Sequence, residues 1–403
     1  VLFRSVLSRD WNRYLEDIAQ ANVLINGVEQ LKESGQISDT EYHSYKAQGE
    51  IFRALMMFRM ARLWGSFPVI TTIAKTITSD NINEVYPTYY PPRKSPKECY
   101  EQIIADLTDA EKYAPDNDNS DRTKMTKTVA QAMLAKVYAE KEVQDYDKVI
   151  TYADKVIKTK GVELEDSYET LWGYDETTKD CLKRNTKEGI LEVHWTTGGG
   201  NWETWMFGRQ LDNWDFYFTW AKWITPSRDI ISDFEKEGDE IRKNQAIVYY
   251  ACTWSNYYPA SNYPFMYKLR SSYSNIYWIR LADIILMKAE AEAYKGDLDE
   301  SAKLVNQIRK RAKLKELTSD KTNSKEAMIE AVLHERRLEL AFEGERWFDL
   351  CRNNKVEKYL NGIDNRDKGR IKQVKLFDSN SYLLPIPQTA LDQNTNLEQN
   401  PGY

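Results

Sequence analysis

The sequence predicts a mostly α fold, built of antiparallel helix pairs and interrupted by one long loop-rich segment. Three observations lead there. Residues 8–160 carry capped segments with helical apolar spacing, and residues 278–352 carry a second such block. Between them, residues 161–277 lack that periodicity except near Pro226–Lys236, and they are broken by Gly198-Gly199-Gly200, Pro226, Pro259 and Pro264. A segment of that length is too long for one loop of a compact domain unless it has a function.

In chain order, Trp11 to roughly Lys32 reads as a first helix, with Gly35 at its end. Asp39 to about Trp64 follows, capped by Ser38 and Asp39 and stopped by Gly65 and Pro68. Ser95-Pro96-Lys97-Glu98 is a capping box with proline at the first helical position. Its helix repeats Tyr100, Ile103, Ile104 and Leu107 and stops before Pro115.

Two helical hairpins then share a spacing. Ala135 and Tyr138 precede Asp145-Tyr146-Asp147-Lys148-Val149 and Ala153, while Ala291 and Tyr294 precede Gly296-Asp297-Leu298, Ala302 and Asn306. A small residue with tyrosine three later, then a turn and another small residue, is the packing logic of tetratricopeptide repeats. Generic antiparallel helix pairs would give a similar pattern. Residues 353–403 are irregular again, punctuated by Asn, Asp and Pro. The organisation expected is one domain over 1–403, with a helical scaffold at about 8–160 and 278–352 and a loop-rich ligand-binding part at about 161–277 and 353–403.

Composition excludes several functions. A net charge of −6 and a pI near 5.5 argue against nucleic acid, which demands clustered Lys and Arg. No run of apolar residues is long enough to span a membrane. Cys99, Cys181, Cys252 and Cys351 lack CxxC spacing, and His43, His194 and His334 are far apart, so no metal site and no cofactor is expected.

The stretch Glu335-Arg336-Arg337-Leu338-Glu339-Leu340-Ala341-Phe342-Glu343-Gly344-Glu345-Arg346-Trp347-Phe348-Asp349-Leu350 mixes charges with bulky apolar side chains. It is expected to be a helix closed by Gly344, forming an ion-paired internal strut, because bare charges cannot be buried. Glu335, Glu339, Glu343 and Asp349 could in principle supply the carboxylates of a glycosidase. The interleaved Arg336, Arg337, Arg346 and Arg352 point to neutralised pairs instead, since nearby arginine lowers the pKa that a catalytic acid needs raised. His334-Glu335 lacks a second His four positions on, the glycine triplet lacks the lysine of a phosphate loop, and no Gly-x-Ser-x-Gly elbow occurs. No catalytic residue is assigned.

The candidate ligand site is aromatic. Trp195, Trp202, Trp205, Trp214, Trp220 and Trp223 crowd into one loop-rich stretch, and Trp254, Tyr257, Tyr258 and Tyr263 form a second cluster with Asn256 and Asn262. Indole and phenol rings present flat apolar faces to the C–H faces of pyranose rings, while nearby Asn, Asp and Arg satisfy hydroxyls. Any single tryptophan among them is more readily read as core. The tentative stacking residues are Trp202, Trp205, Trp214, Trp220, Trp254, Tyr257 and Tyr258, with Trp223 as a core-facing anchor.

Together with Tyr382-Leu383-Leu384-Pro385-Ile386-Pro387-Gln388 and Gln399-Asn400-Pro401-Gly402-Tyr403, the charged stretch closely resembles the SusD/RagB family. So do Arg53 to Pro68 and Ile224 to Glu235. The resemblance implies a SusD-like fold with tetratricopeptide-like repeats. It also implies a surface lipoprotein of Bacteroidetes at the outer membrane that captures oligosaccharide or another nutrient oligomer for a SusC-like TonB-dependent transporter. It implies that an N-terminal segment with the export signal and lipid anchor precedes this chain. Val1–Ser5 is also what a sequencing adapter would encode in one reading frame, so these residues read equally as an assembly artefact or as native sequence. A peptide-binding repeat module, as in the RagB branch, remains an alternative, and a glycoside hydrolase a weaker one.

Overall fold

A computed structural model of the protein describes residues 2–175, 177–178, 180–195, 225–252, 258–271, 273–367 and 372–403. The chain falls into two compact units. The first comprises Val1–Asn117, Met125–Asp145 and Phe377–Tyr403, and the second Asp118–Lys124 and Tyr146–Leu376. These limits do not coincide with the scaffold and loop segments read from sequence, because the first unit recruits the irregular tail while the second takes in Tyr146–Ile157.

In the first unit the long helices are Leu2–Glu33, Asp39–Trp64, Pro96–Tyr113 and Lys127–Ala139. The expected caps hold. The Ser38 side chain accepts from the Glu41 amide while Glu41 returns a carboxylate to Ser38, and Ser95 and Glu98 make the same reciprocal pair. At Gly65 the backbone takes φ 75°, a left-handed value that favours glycine, and a Cβ there would press on the end of the Leu383 side chain at 2.8 Å.

The packing centre is Trp64, fully buried and set edge-on to Trp11 with ring centroids 5.2 Å apart. Its indole Nε1 donates to the Pro385 carbonyl at 3.1 Å. Asn400 donates to the carbonyls of Trp64 and Leu384 at 3.0 and 2.7 Å. The Leu384 amide donates to Leu63 at 2.7 Å. The two C-terminal motifs therefore clasp the end of the Asp39–Trp64 helix. Beside them Arg53 grips Asp106 with two bonds of 2.8 Å and Asn22 with a third, which satisfies a charge buried between three helices.

In the second unit Leu281–Lys295 packs against Leu298–Arg311 and Tyr146–Ile157. Gly296 closes the first of these at φ 91°, and Asp297 caps the second by accepting from the Glu300 amide. Tyr294 lies flat on Tyr146, 4.6 Å between centroids and 6° between planes. The small Ser301 lets the helices approach and donates to the Ala289 carbonyl at 2.7 Å. Tyr294 of one sequence hairpin thus stacks on Tyr146 of the other, and Ser301, next to the Ala302 read from sequence, makes the polar contact across the helix pair.

Residues 161–277 hold more regular structure than the sequence suggests. Helix Arg228–Glu237 is as expected, but Glu240–Ala246 is an added helix, and short antiparallel ladders join Gly189–Val193 to Ile276–Arg280 and Ile247–Tyr250 to Tyr263–Met266. Strands of four or five residues whose two faces are both buried carry no alternation to read.

Candidate functional site

The charged stretch is the best-defined constellation, and all of it lies in the second unit. Helix Lys325–Glu339 begins at the Ser324 cap and ends at Glu339, not at Gly344 as expected. The reason is Phe342, whose φ of 66° already breaks the helix, with Gly344 at 85° turning the chain into Arg346–Arg352.

Glu335, Arg336 and Glu339 are wholly buried. Glu339 Oε1 accepts from Arg280 at 2.6 Å and from Arg311, while Oε2 accepts from Arg242 at 3.2 Å. Its own carbonyl takes Lys268 at 3.0 Å and a second Arg280 nitrogen at 2.8 Å. Glu343, beyond the helix, still joins Arg280 at 2.6 Å and Lys268. Glu188, from the segment before strand Gly189–Val193, accepts from Arg280 at 2.7 Å and from Arg311. Glu335 bonds Arg242 at 2.6 Å and Arg309 at 3.0 Å. A second knot joins Arg336 to Asp283 and Asp349, and Arg352 to Glu290 and Asp349.

Burial alone would raise the Glu339 carboxyl, but the guanidiniums of Arg311, Arg280 and Arg242 hold it well below the usual carboxylate range. Burial likewise loses to Arg280 and Lys268 at Glu343, and to Arg336 and Arg352 at Asp349. These carboxylates are fixed in the charged form, as a strut requires. One arginine departs from the expectation. Among the described residues Arg346 has no carboxylate within salt-bridge distance; it donates to the Leu333 carbonyl at 2.9 Å and covers the Tyr359 ring. It ties a turn to the helix rather than closing an ion pair.

On the outer side of the same helix, Glu237 receives His334 at 3.1 Å and Arg309 at 3.0 Å. The His334 hydrogen bond is the largest influence on Glu237 and, with Arg309, outweighs burial and holds it at about 2. A carboxyl lowered on folding contributes stability above its unfolded pKa, near 4.5, and that contribution is lost as pH falls toward 2. Glu237→Gln is accordingly expected to flatten the fall in melting temperature between pH 5 and pH 3 while changing little at pH 2, measured by thermal scans across that range.

Of the predicted stacking residues, Trp202, Trp205, Trp214, Trp220, Trp254 and Tyr257 lie outside the described residues, as does Trp223. Tyr258 is described and is 8% exposed. Its hydroxyl donates to the Pro226 carbonyl at 2.8 Å, the Arg228 guanidinium covers its ring at 4.2 Å, and Tyr263 meets it edge-on at 5.7 Å. Arg228 is anchored in turn by Asp367 at 3.1 Å, and Thr225 reaches the Tyr263 hydroxyl at 3.3 Å. Trp195 is half-buried; its carbonyl accepts from Arg184 at 2.9 Å.

Pro226 and Arg228, which follow the tryptophan-rich stretch, therefore contact Tyr258 directly, and Tyr258 is itself a member of the second aromatic cluster. Sequence reasoning found both clusters but not this junction. Its only sequence signal is the Thr225-Pro226-Ser227-Arg228 turn into a capped helix.

Comparison with known proteins agrees with this architecture. A model of the SusD family matches residues 108–403, and a model described as starch-binding, associating with outer membrane, matches residues 5–139. SusD-like protein P2 of Formosa agariphila is 27% identical across 95% of this chain and 79% of the relative. A SusD-like protein of Bacteroides ovatus is 26% identical across 90% of this chain and 69% of that one. Among solved structures, a SusD superfamily protein of Parabacteroides distasonis superposes with a TM-score of 0.78 at 24% identity, covering 98% of this chain and 86% of its own. A laminarin-binding SusD-like protein does so at 0.72 and 22%, with the same coverage. With the helix caps, the clasped C-terminal motifs and the buried strut all in place, the chain belongs to the SusD family.

Proposed function

We propose that this protein captures oligosaccharide at the outer face of the outer membrane, as a lipid-anchored receptor, and passes it to a SusC-like TonB-dependent transporter. The observation that carries the reading is the 2.8 Å bond from Tyr258, a member of the second aromatic cluster, to Pro226, just after the tryptophan-rich stretch. In this reading Trp202, Trp205, Trp214, Trp220, Trp254 and Tyr257 supply stacking faces, and Tyr258 stands at their base, its hydroxyl and one ring face already engaged. The family models and the laminarin-binding relative support a glycan as the ligand class. The protein breaks no bond in this scheme. That is supported by Glu335, Glu339, Glu343 and Asp349 being committed to ion pairs with buried arginine and lysine.

The test replaces Trp202, Trp205, Trp214 and Trp220 singly by alanine and measures affinity, for a ligand found by glycan screening, beside the melting temperature. A stacking tryptophan is expected to cost about 1–3 kcal/mol of binding with the fold unchanged. A core tryptophan would instead cost about 3–5 kcal/mol of stability. Destabilisation by all four with no selective loss of binding would overturn the site assignment. Binding of oligopeptides but no glycan would overturn the ligand class.

A further inference from the structure

A cleft of about 840 Å³ opens on the second unit. Its walls are the end of helix Arg228–Glu237, the loop 312–318 after helix Leu298–Arg311, and the outer face of helix Lys325–Glu339 with Tyr359. That volume is within the range of small-molecule sites, roughly 300–1,000 Å³.

The carboxylates on its floor are all committed. Glu237 is held by Arg309 and His334, Asp233 by Arg337, and Glu330 by Lys355 at 2.9 Å and Lys358 at 2.6 Å. Its rim is different. Lys236, Lys313, Lys315 and Lys321 are exposed, and among the described residues none has a carboxylate within salt-bridge distance. Only Glu316 and Asp320 oppose them without a cation of their own, and Asp320 accepts from Thr318. The surplus is two positive charges, in a chain whose net charge is −6.

The backbone bearing those lysines is fixed. Lys313 sits at φ 57°, and the Leu314 amide donates to the Arg309 carbonyl at 2.9 Å. Arg309 Nε donates back to the Lys315 carbonyl at 2.8 Å, and Asn306 accepts from the Leu317 amide at 2.9 Å. Arg309 thus neutralises the floor and pins the rim at once. A loop held this way loses little further freedom when it binds, so its ammonium groups are presented in advance.

We propose that this cleft binds the anionic substituents, carboxylate or sulfate, of an acidic oligosaccharide. The assignment rests on the reading of the protein as a glycan receptor, and it adds a charge-selecting site to the stacking site. Compact, well-hydrated ammonium groups suit such substituents because they act as point charges without demanding one geometry.

The test is calorimetric titration at low ionic strength with oligogalacturonate, sulfated carrageenan oligosaccharides, neutral laminari-oligosaccharide, inorganic sulfate and oligoglutamate. The wild type is compared with Lys236→Gln/Lys315→Gln/Lys321→Gln. All three positions are exposed, so an unchanged melting temperature serves as the control for folding. At least one acidic oligosaccharide should bind the wild type, weaken roughly tenfold or more in the variant, and lose most of its affinity at high salt. The uronate and sulfate arms tell which substituent is preferred, and binding of any neutral oligosaccharide should be unaffected.

Equal binding of acidic glycans to both proteins, or binding of none of them, overturns the proposal. If neutral glycan still binds in that case, the receptor reading stands alone; if no oligosaccharide binds, both fail. Inorganic sulfate or oligoglutamate binding as tightly as the acidic glycans overturns the assignment of the ligand as a glycan.

Discussion

Glu339→Ala is expected to lower the stability of the second unit by about 3–5 kcal/mol, read as a large fall in melting temperature or denaturant midpoint. The substitution removes the carboxylate shared by Arg242, Arg280 and Arg311, and water cannot replace it at a wholly buried position. Arg311 would keep Glu188, and Arg280 would keep Glu188 and Glu343, so the loss is that of a shared member and not of the whole knot. Arg346→Ala provides the contrast. It removes an additional donor from the Leu333 carbonyl, which keeps its helical amide partner, and uncovers the Tyr359 ring, so a cost of only about 0.5–1.5 kcal/mol is expected. Equal effects of the two variants would show that the network does not carry the difference assigned to it. A Glu339→Ala protein that keeps its melting temperature and loses ligand binding would move the strut from architecture to recognition.

Trp64→Ala is expected to cost about 3–5 kcal/mol in the first unit. The indole is fully buried, packs on Trp11, and satisfies the Pro385 carbonyl, so its removal leaves both a cavity and an unpaired acceptor. Trp64→Phe separates the two losses. It fills most of the space but cannot donate, and should recover more than half of the deficit. If the alanine variant proves as stable as the parent by chemical denaturation, the clasp of the C-terminal motifs does not depend on Trp64.

What could be read from the sequence was whatever is decided locally. The Ser38 and Ser95 boxes and the Gly65 stop depend on neighbours a few residues away, and all appear as expected, whereas the stacking of Tyr294 on Tyr146 joins distant segments and had no local signal. The strut was legible as chemistry, because buried charges demand partners, but its partners were not. Arg242, Arg280 and Glu188 come from distant segments, and nothing near them announces the pairing. The early end of the Lys325–Glu339 helix was missed because Phe342, a bulky residue, takes a left-handed conformation that glycine would ordinarily hold. The aromatic clusters were visible as composition, whereas the Tyr258–Pro226 junction depends on tertiary packing. The cleft lysines had a signal, the basic run Arg309-Lys310-Arg311-Ala312-Lys313-Leu314-Lys315. Periodicity could not say that Arg309 and Arg311 turn inward while Lys313 and Lys315 stay at the rim.

The clasp around Trp64 also constrains the order of events during biosynthesis. The first unit is discontinuous: its early helices are closed by residues 377–403, and the whole of Tyr146–Leu376 must be made in between. An emerging N-terminal portion therefore exposes the Trp64 end of its helix, together with the Leu63 carbonyl and the Trp64 indole N–H, until Leu384 and Pro385 arrive. Domains ordinarily fold as units in the order of synthesis, and this one cannot. The late closing segment leaves an interval during synthesis in which the leading part of the polypeptide stays unfinished, and so open to holding by chaperones.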